Sequence, residues 1–263
     1  MLKKADPMLN LYRFPGATCA SKVMLVLAEK ELAYEDKLVP RSYLSDPEYL
    51  KLNPAGVVPT LIHDGDVLVE SSVIMTYLDE AFPRPPLRPD APLGRARVNY
   101  WLKLLDDSLQ HLGIATYAIA MRHSILALPA EQREAYYASV QIPERRQLYR
   151  NLVEQGLEAL EVGRALQGLK ALQHEAERSL ATDFLVGDYS LADAGLTPFL
   201  ARMELLGLLL PEAETPRLHR WWRRVRNRPS FAAAVTAAAP ENADQIQQLA
   251  AAAKEQIANR LAS

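Results

Sequence analysis

The sequence predicts an α/β domain plus an all-α domain, and three observations carry that prediction. Strand-like and helix-like patterns alternate over the first third of the chain. Residues 82–89 then place four prolines in eight positions, and proline suits neither a helix interior nor a central strand. Beyond them, apolar residues recur only at helical spacing. We therefore predict a first domain over residues 8–82, a helical domain over 91–240 and a helical C-terminal extension over 241–263.

The first elements of the α/β domain follow from short apolar runs. Residues 8–14 form a nearly continuous apolar stretch, typical of a strand that is buried on both faces. Apolar residues spaced three and four apart then predict a helix from about residue 18 to residue 31. A second strand is predicted over residues 34–39, and residues 46–52 have helical composition. The order up to this point is strand, helix, strand, helix.

A hairpin is predicted next. A β-branched run covers residues 57–63, Asp64-Gly65 is a two-residue turn signal, and residues 66–69 form the return strand. Pro59 lies inside the first of these runs. Because proline donates no ladder hydrogen bond, we expect an edge position, a bulge or a cis peptide bond there.

A helix is expected directly after the hairpin. Ser71 or Ser72 can cap it, and its apolar face runs from Ile74 to Ala81 with a spacing of three and four residues. The complete order of the domain is then β-α-β-α-β-β-α. This is the order of the thioredoxin-like fold.

The second domain is predicted to begin with a long amphipathic helix. Its apolar face covers residues 98–112, and Gly113 can ease a bend. Pro129 and Pro143 interrupt the following region, where two short helices fit. Residues 152–180 carry another long amphipathic pattern. No later stretch has the length and alternation of a strand.

A capping motif is the strongest signal in the helical half. Ser190 and Asp193 have the spacing of a capping box, with Asp in place of Glu, ahead of a helix predicted over residues 194–208. We expect this motif to serve folding rather than chemistry. A further helix is predicted over 218–228, and the extension at 241–263 has four aligned apolar residues, so it is expected to dock on the helical domain.

Composition limits the function. With 263 residues, 49% hydrophobic and 24% charged, the chain can build a sizeable core, and its net charge of −2 predicts no general attraction to nucleic acid. The arginine-rich run at 220–228 is therefore interpreted as a solvated helix face. The single cysteine, the absence of a long apolar run and a start at residues 1–7 without a signal peptide predict a cytosolic protein that uses no membrane. No metal-ligand spacing and no phosphate-binding loop is present.

The order N-P-x-G-x-V-P-x-L, a D-G hairpin and E-S before a helix resembles the glutathione-binding half of the cytosolic glutathione transferases. This resemblance implies a cis bond before Pro59, pairing of the Val58 backbone with the cysteinyl part of glutathione, and contacts from Glu70 and Ser71 to its γ-glutamyl end. The local chemistry agrees, because a helix N-terminus suits a carboxylate and Glu70 suits an ammonium. Taken singly, Ser71 and Glu70 could equally be a cap and a first-turn charge.

The loop at residues 15–22 occupies the reactive position of such a domain. It resembles the S-x-C-S-x-K-V form of zeta-like bacterial transferases and of reductive dehalogenases of chlorinated hydroquinones. The match puts Cys19 on the motif's cysteine and Ala17 where zeta-type enzymes carry an activating serine, which Thr18 could replace. We favour Cys19 as an exposed, low-pKa thiol at a helix N-terminus. The alternatives are a small buried Cys19 and a Thr18 that is only an N-cap.

A further resemblance concerns the electrophile. Residues 141–144 and the run L-V-G-D-Y-S-L-A-D are similar to bacterial β-aryl etherases of lignin breakdown, in which glutathione thiolate displaces a phenoxide. The electrophile site then lies between the domains. Tyr117, Met121 and His123 are candidates for its lining, with plain interhelical packing as the alternative.

The resemblance predicts a glutathione S-transferase. Glutathione is its co-substrate, bound glutathione thiolate attacks a small hydrophobic electrophile, and the active form is a homodimer. Two other enzyme activities are alternatives, namely a glutathione-dependent β-etherase and a thiol reductase or dehalogenase based on Cys19. A binding protein that keeps the fold without the chemistry is the alternative from another class.

Overall fold

The structure is a computed structural model that describes residues 8–262. Residues 1–7, for which the sequence predicts no signal peptide, and Ser263 lie outside the described residues. Within the described part, none of the helices combines the length and the apolar character that crossing a membrane requires.

The first half of the chain folds around a four-stranded sheet. Its strands lie in the order β2-β1-β3-β4, with β1 and β2 parallel and the other pairs antiparallel. The strands are β1 (Leu9–Arg13), β2 (Glu35–Leu38), β3 (Thr60–His63) and β4 (Asp66–Val69), and the helices are α1 (Thr18–Glu29), α2 (Pro47–Leu52) and α3 (Ser71–Ala81). A 3₁₀ turn at Arg41–Ser45 precedes α2. The predicted thioredoxin-like order is confirmed.

Two details of this half differ from the prediction. The strand β3 begins at Thr60 rather than at residue 57, since Pro59 has no N–H to donate to a ladder. The peptide bond between Val58 and Pro59 is cis. The expected serine cap of α3 is wrong, because Glu70 takes the N-cap position with φ 68° and Ser71 is the first helical residue.

The second half is helical. Its helices are α4 (Pro92–Thr116), α5 (Arg122–Leu126), α6 (Ala130–Ala138), α7 (Pro143–Gln155), α8 (Leu160–Ser179), α9 (Leu191–Leu205), α10 (Pro216–Arg226), α11 (Pro229–Phe231), α12 (Ala243–Ala252) and α13 (Lys254–Ala262). A π-helical turn at Tyr117–Met121 joins α4 to α5, and a second one at Ala232–Thr236 follows α11. The predicted all-helical character is confirmed.

Three expectations for the helical half need correction. The pattern over 152–180 does not form one helix, because Gly156 adopts φ 59° and begins a 3₁₀ turn between α7 and α8. The irregularity after α4 comes at the π turn Tyr117–Met121 rather than at Gly113. Leu109, counted on the buried face of α4, is 37% exposed.

The capping box of α9 is confirmed and does more than cap. Asp193 accepts hydrogen bonds from the Ser190 backbone N–H and hydroxyl at 3.0 and 3.1 Å through Oδ2. Its Oδ1 accepts from the Leu185 N–H at 3.0 Å and from Trp221 Nε1 at 2.7 Å. One fully buried carboxylate therefore joins the loop before α9, the start of α9 and α10.

The expected docking of the C-terminal extension is also confirmed. Ile246, Ala250 and Ile257 are each no more than 4% exposed and belong to the helical core. Gln167 Nε2 of α8 donates to the Leu261 carbonyl at 2.9 Å, so the end of the described chain lies on α8.

Candidate active site

The turn before β3 is held by buried side chains. Tyr49 Oη and Asn53 Nδ2 donate to the Val57 carbonyl at 2.6 and 2.8 Å, and both also lie within hydrogen-bonding distance of Thr60 Oγ1. Tyr49, Asn53 and Thr60 are at most 3% exposed. These buried side chains thus hold the chain in place on both sides of Val58. Sequence reasoning missed this role of Tyr49 and Asn53, although the Asn of the N-P-x-G motif was a signal for it.

The start of α3 is open to an anion. The first helical hydrogen bond runs from the Ile74 N–H to the Glu70 carbonyl, so the N–H groups of Ser71, Ser72 and Val73 have no partner within the helix. No side chain caps this end. Glu70 is exposed and holds a positive φ, a conformation that is uncommon outside glycine and recurs at functional sites. Ser71, in contrast, is 6% exposed.

The start of α1 has the same character. Ala17 occupies the N-cap position, so the alternative of Thr18 as an N-cap is wrong. The first helical bond runs from the Ser21 N–H to the Ala17 carbonyl. The N–H groups of Thr18, Cys19 and Ala20 are therefore left without a helical partner, and the helix dipole adds positive potential there.

Cys19 does not have the expected low pKa. Its side chain is only partly covered, yet burial of the thiol raises the pKa, and the nearby Lys22 ammonium and Ser71 hydroxyl offset only part of that rise. Desolvation disfavours the thiolate more than these partners favour it. The Ser71 hydroxyl of α3 acts on this thiol, and Lys22 of α1 donates to Ser72 of α3, so the first turns of α1 and α3 are neighbours at Cys19.

A buried lysine supports the same junction. Lys22 is 1% exposed, and its Nζ donates to Ser72 Oγ at 2.8 Å and to Asp106 Oδ1 at 2.9 Å. The Ser72 hydroxyl also donates to Asp106 Oδ1 at 2.8 Å. These three side chains tie α1, α3 and α4 together across the two halves of the chain. In the sequence, Lys22 matches the lysine of the S-x-C-S-x-K-V form, which gives no sign of these buried contacts.

The predicted electrophile lining is only partly brought together. Tyr117 stacks on Tyr149 with ring centroids 3.9 Å apart, and its Oη lies 2.5 Å from Tyr136 Oη. Met121 packs against the helical core. His123 lies largely exposed on α5 and joins neither contact of Tyr117. Partial desolvation of the ring and the Arg122 charge lower its pKa.

This tyrosine cluster, Tyr117, Tyr136 and Tyr149, lies within electrostatic reach of Arg41 in the first half of the chain. Burial raises the pKa of all three phenols, that of Tyr149 to about 12, and the Arg41 guanidinium pulls the pKa of each one downward. Arg41 belongs to the 3₁₀ turn ahead of α2. The loop before α7 also lies against the first half of the chain, because a Cβ on Gly56 would lie 3.4 Å from Gln141 Cγ.

Known proteins resemble this chain over nearly its whole length. Models of the glutathione S-transferase N-terminal and C-terminal domains match residues 11–86 and 118–229. Protein LigF of Sphingobium sp. strain SYK-6 is 32% identical over an alignment of 240 positions that covers 85% of this chain and 91% of that protein. The chain belongs to the glutathione S-transferase family. The predicted family, its enzyme class and glutathione as the co-substrate of that class are thereby confirmed.

Other relatives of this transferase carry different names. A stringent starvation protein A homolog of Pasteurella multocida is 28% identical, covering 84% of this chain and 87% of its own. The tetrachloro-p-hydroquinone reductive dehalogenase of Sphingobium chlorophenolicum is 27% identical, covering 86% and 94%. The crystal structure of the beta-etherase LigF superimposes with a TM-score of 0.77 and 28% identity, covering 87% of this chain and 99% of that one.

Proposed function

We propose that glutathione binds along Val58 and Pro59 with its γ-glutamyl end at Glu70 and Ser71. The observation that carries this proposal is the meeting of two open helix N-termini, those of α1 and α3, at the Cys19 sulfur. Two such ends suit a ligand with two anionic groups, here a thiolate and a carboxylate. The exposed Glu70 carboxylate suits the ammonium of the same ligand.

The bound glutathione sulfur acts as the nucleophile. The N–H groups that open α1 and the Thr18 hydroxyl stabilise its thiolate, and the thiol proton passes to solvent. The thiolate then attacks the electrophilic carbon, so a carbon–sulfur bond forms and the leaving group departs with its electron pair. The raised pKa of Cys19 supports this assignment, because a protonated thiol is a poor nucleophile. Thr18 therefore replaces Cys19 as the favoured activating residue.

Cleavage of a β-aryl ether is the second candidate. The similarity to LigF over 85% of the chain and the fold match at a TM-score of 0.77 favour it. In this reaction the glutathione sulfur bonds to the carbon that carries the phenoxide, the carbon–oxygen bond breaks and phenoxide leaves. Tyr149, which stacks on the buried Tyr117 and is itself partly exposed, offers a flat aromatic surface for an aryl group.

A two-fold dimer is proposed as the working form. Members of this family pair the first domain of one subunit with the second domain of the other. Large apolar side chains are exposed along the corresponding surfaces, namely Val67 of β4, Val73 of α3, and Leu93 and Tyr100 of α4. Light scattering at micromolar concentration should give the mass of two chains, and a monomer mass would refute the proposal. A cytosolic location stays a prediction.

Calorimetric titration with glutathione tests the binding site. Glu70→Ala and Ser71→Ala should each weaken binding about ten-fold through loss of a charge-assisted hydrogen bond. Glu131→Ala and Ser124→Ala, which change the same residue types on exposed parts of α6 and α5, should leave the affinity unchanged. Unchanged affinity in both site variants would contradict the proposal.

Turnover separates the candidate reactions. Aryl chlorides, β-aryl ethers, hydroperoxides and mixed disulfides should be offered with glutathione to the wild-type protein and to Cys19→Ser. Conjugation or ether cleavage that survives in Cys19→Ser supports the transferase chemistry. Reduction that disappears in Cys19→Ser would instead support a reductase based on this thiol. Glutathione binding without any turnover would favour the non-catalytic alternative.

A further inference from the structure

Arg202 on α9 is a half-buried cation with little to bind. Its Nη2 donates to the Gly16 carbonyl at 2.5 Å, and no other hydrogen bond or ion pair involves it within residues 8–262. A guanidinium has five N–H donors, so most of them are unused. The group lies directly beneath the reactive loop, because a Cβ on Gly16 would lie 3.3 Å from Nη2 and 3.1 Å from Pro240 Cβ.

The cations that are fully buried among the described residues each have an acid. Lys22 pairs with Asp106 at 2.9 Å, Lys30 with Asp79 at 2.8 Å and Arg13 with Asp36 at 2.5 Å. Arg202, which is half-buried, has no acid among the described residues. Burial lowers its pKa to about 10, which shows how poorly its charge is compensated. A desolvated cation without an anion is costly, so its retention points to an anion that arrives from outside the chain.

A second arginine stands on the other side of the same loop. The Arg41 guanidinium carbon lies 4.4 Å from the centroid of the Phe14 ring, and no ion pair holds it among the described residues. The charge of Arg41 reaches Arg202, whose pKa it lowers further. It reaches the tyrosine cluster as well. The exposed Arg41 contacts Phe14 and the half-buried Arg202 contacts Gly16, and neither has an ion pair among the described residues, so both guanidinium groups lie just ahead of the open end of α1.

We propose that Arg202 and Arg41 bind a carboxylate carried by the electrophile, so that the preferred substrates are aromatic carboxylates. The proposal rests on the proposed function and adds the substrate class. Guanidinium groups match the geometry of a carboxylate, and the partly exposed Tyr149 ring, backed by Tyr117, receives the aromatic part. Arg202 comes from the helical half, which forms the electrophile side of the cleft, whereas the γ-glutamyl carboxylate of glutathione is assigned to the start of α3.

A matched pair of substrates tests the charge preference. 4-Chloro-3-nitrobenzoate and its amide differ only in the carboxylate, and in both the glutathione sulfur bonds to the ring carbon while chloride leaves. We expect the acid-to-amide ratio of kcat/KM to fall about ten-fold or more in Arg202→Met, and by less in Arg41→Met, whose side chain is more solvated. Arg202→Lys keeps the charge and should keep part of the ratio. Arg220→Met, an exposed arginine on α10, is the control and should leave the ratio unchanged.

Binding of the two preformed glutathione conjugates gives a readout that needs no turnover. The wild-type protein should bind the carboxylate conjugate about ten-fold more tightly than the amide conjugate, and Arg202→Met should abolish that preference. Equal affinity for both conjugates in the wild type would overturn the proposal. So would an equal loss of binding for glutathione alone in Arg202→Met, since the arginines would then hold a carboxylate of glutathione. The carboxylate conjugate could still bind more tightly while the enzyme turns over neither 4-chloro-3-nitrobenzoate nor its amide. That result would contradict the proposed reaction and support the carboxylate site.

Discussion

The two regions that we propose to bind the substrates, called here the glutathione wall and the electrophile wall, are built in different ways. On the glutathione wall, the bonds that fix the turn at Val58 span few residues, for example eight between Tyr49 and Val57. On the electrophile wall, Tyr117 meets Tyr136 across 19 residues, and Arg202 meets Gly16 across 186. A wall made of local contacts forms wherever its short motif occurs. A wall assembled from distant helices depends on the whole helical half. Substitutions there can therefore change which electrophile binds while the glutathione wall stays the same.

The largest effect is expected where the helical half is held together. Asp193→Ala leaves the Leu185 N–H, the Ser190 N–H and Trp221 Nε1 without their acceptor. We expect the free energy of unfolding to fall by about 3–5 kcal/mol, as for loss of a buried hydrogen-bond network. Chemical denaturation measures it, with Asp193→Asn as the variant that keeps half of the acceptors. A loss below about 1 kcal/mol would show that the electrophile wall does not depend on this network.

A smaller effect is expected on the local wall. Asn53→Ala removes a donor to the Val57 carbonyl and an acceptor for the Ala55 N–H. The free energy of unfolding should fall by about 1–3 kcal/mol, and the affinity for glutathione should drop with it. Asn151→Ala on α7, which loses only a bond to Gln147, is the matched control. Unaltered glutathione affinity in Asn53→Ala would show that this turn does not support glutathione binding.

Cys19 sharpens the comparison because it lies where the two halves meet. Its folded-state pKa is raised, so the thiol stays protonated at neutral pH and ionises only above its ordinary range. Alkylation by iodoacetamide at pH 7 should therefore be several-fold slower than that of free cysteine, and should accelerate with rising pH. The cysteine is the only one in the chain, so mass spectrometry reports it directly. Fast alkylation at pH 7 would show that Cys19 has a low pKa after all.

The smallest effect is expected within the tyrosine cluster. Tyr136→Phe removes the hydroxyl that meets Tyr117 Oη but keeps the ring. We expect KM for an aromatic electrophile to change about three-fold, since one neutral hydrogen bond is lost, while glutathione affinity stays constant. Steady-state kinetics with each substrate varied in turn provide the measurement. A change in the glutathione affinity of similar size would show that the two walls are not independent.

The sequence predicted best what short contacts determine. The Asp64-Gly65 hairpin and the capping box at Ser190 each depend on residues close in the chain. The cap of α3 was mispredicted, because a positive φ at Glu70 leaves no trace in a hydrophobic pattern. The tyrosine cluster and the uncompensated Arg202 were missed, since helical spacing gives the buried face of a helix and not the residues it meets.

We propose that α1 and Thr18 stabilise the thiolate of bound glutathione. Ultraviolet absorbance of the thiolate, followed against pH in the glutathione complex, measures this stabilisation. We expect Thr18→Ala to raise the pH at which bound glutathione ionises, because a hydrogen bond to the sulfur is lost, whereas Cys19→Ser should leave that pH unchanged. An unchanged titration in Thr18→Ala together with loss of the signal in Cys19→Ser would contradict it.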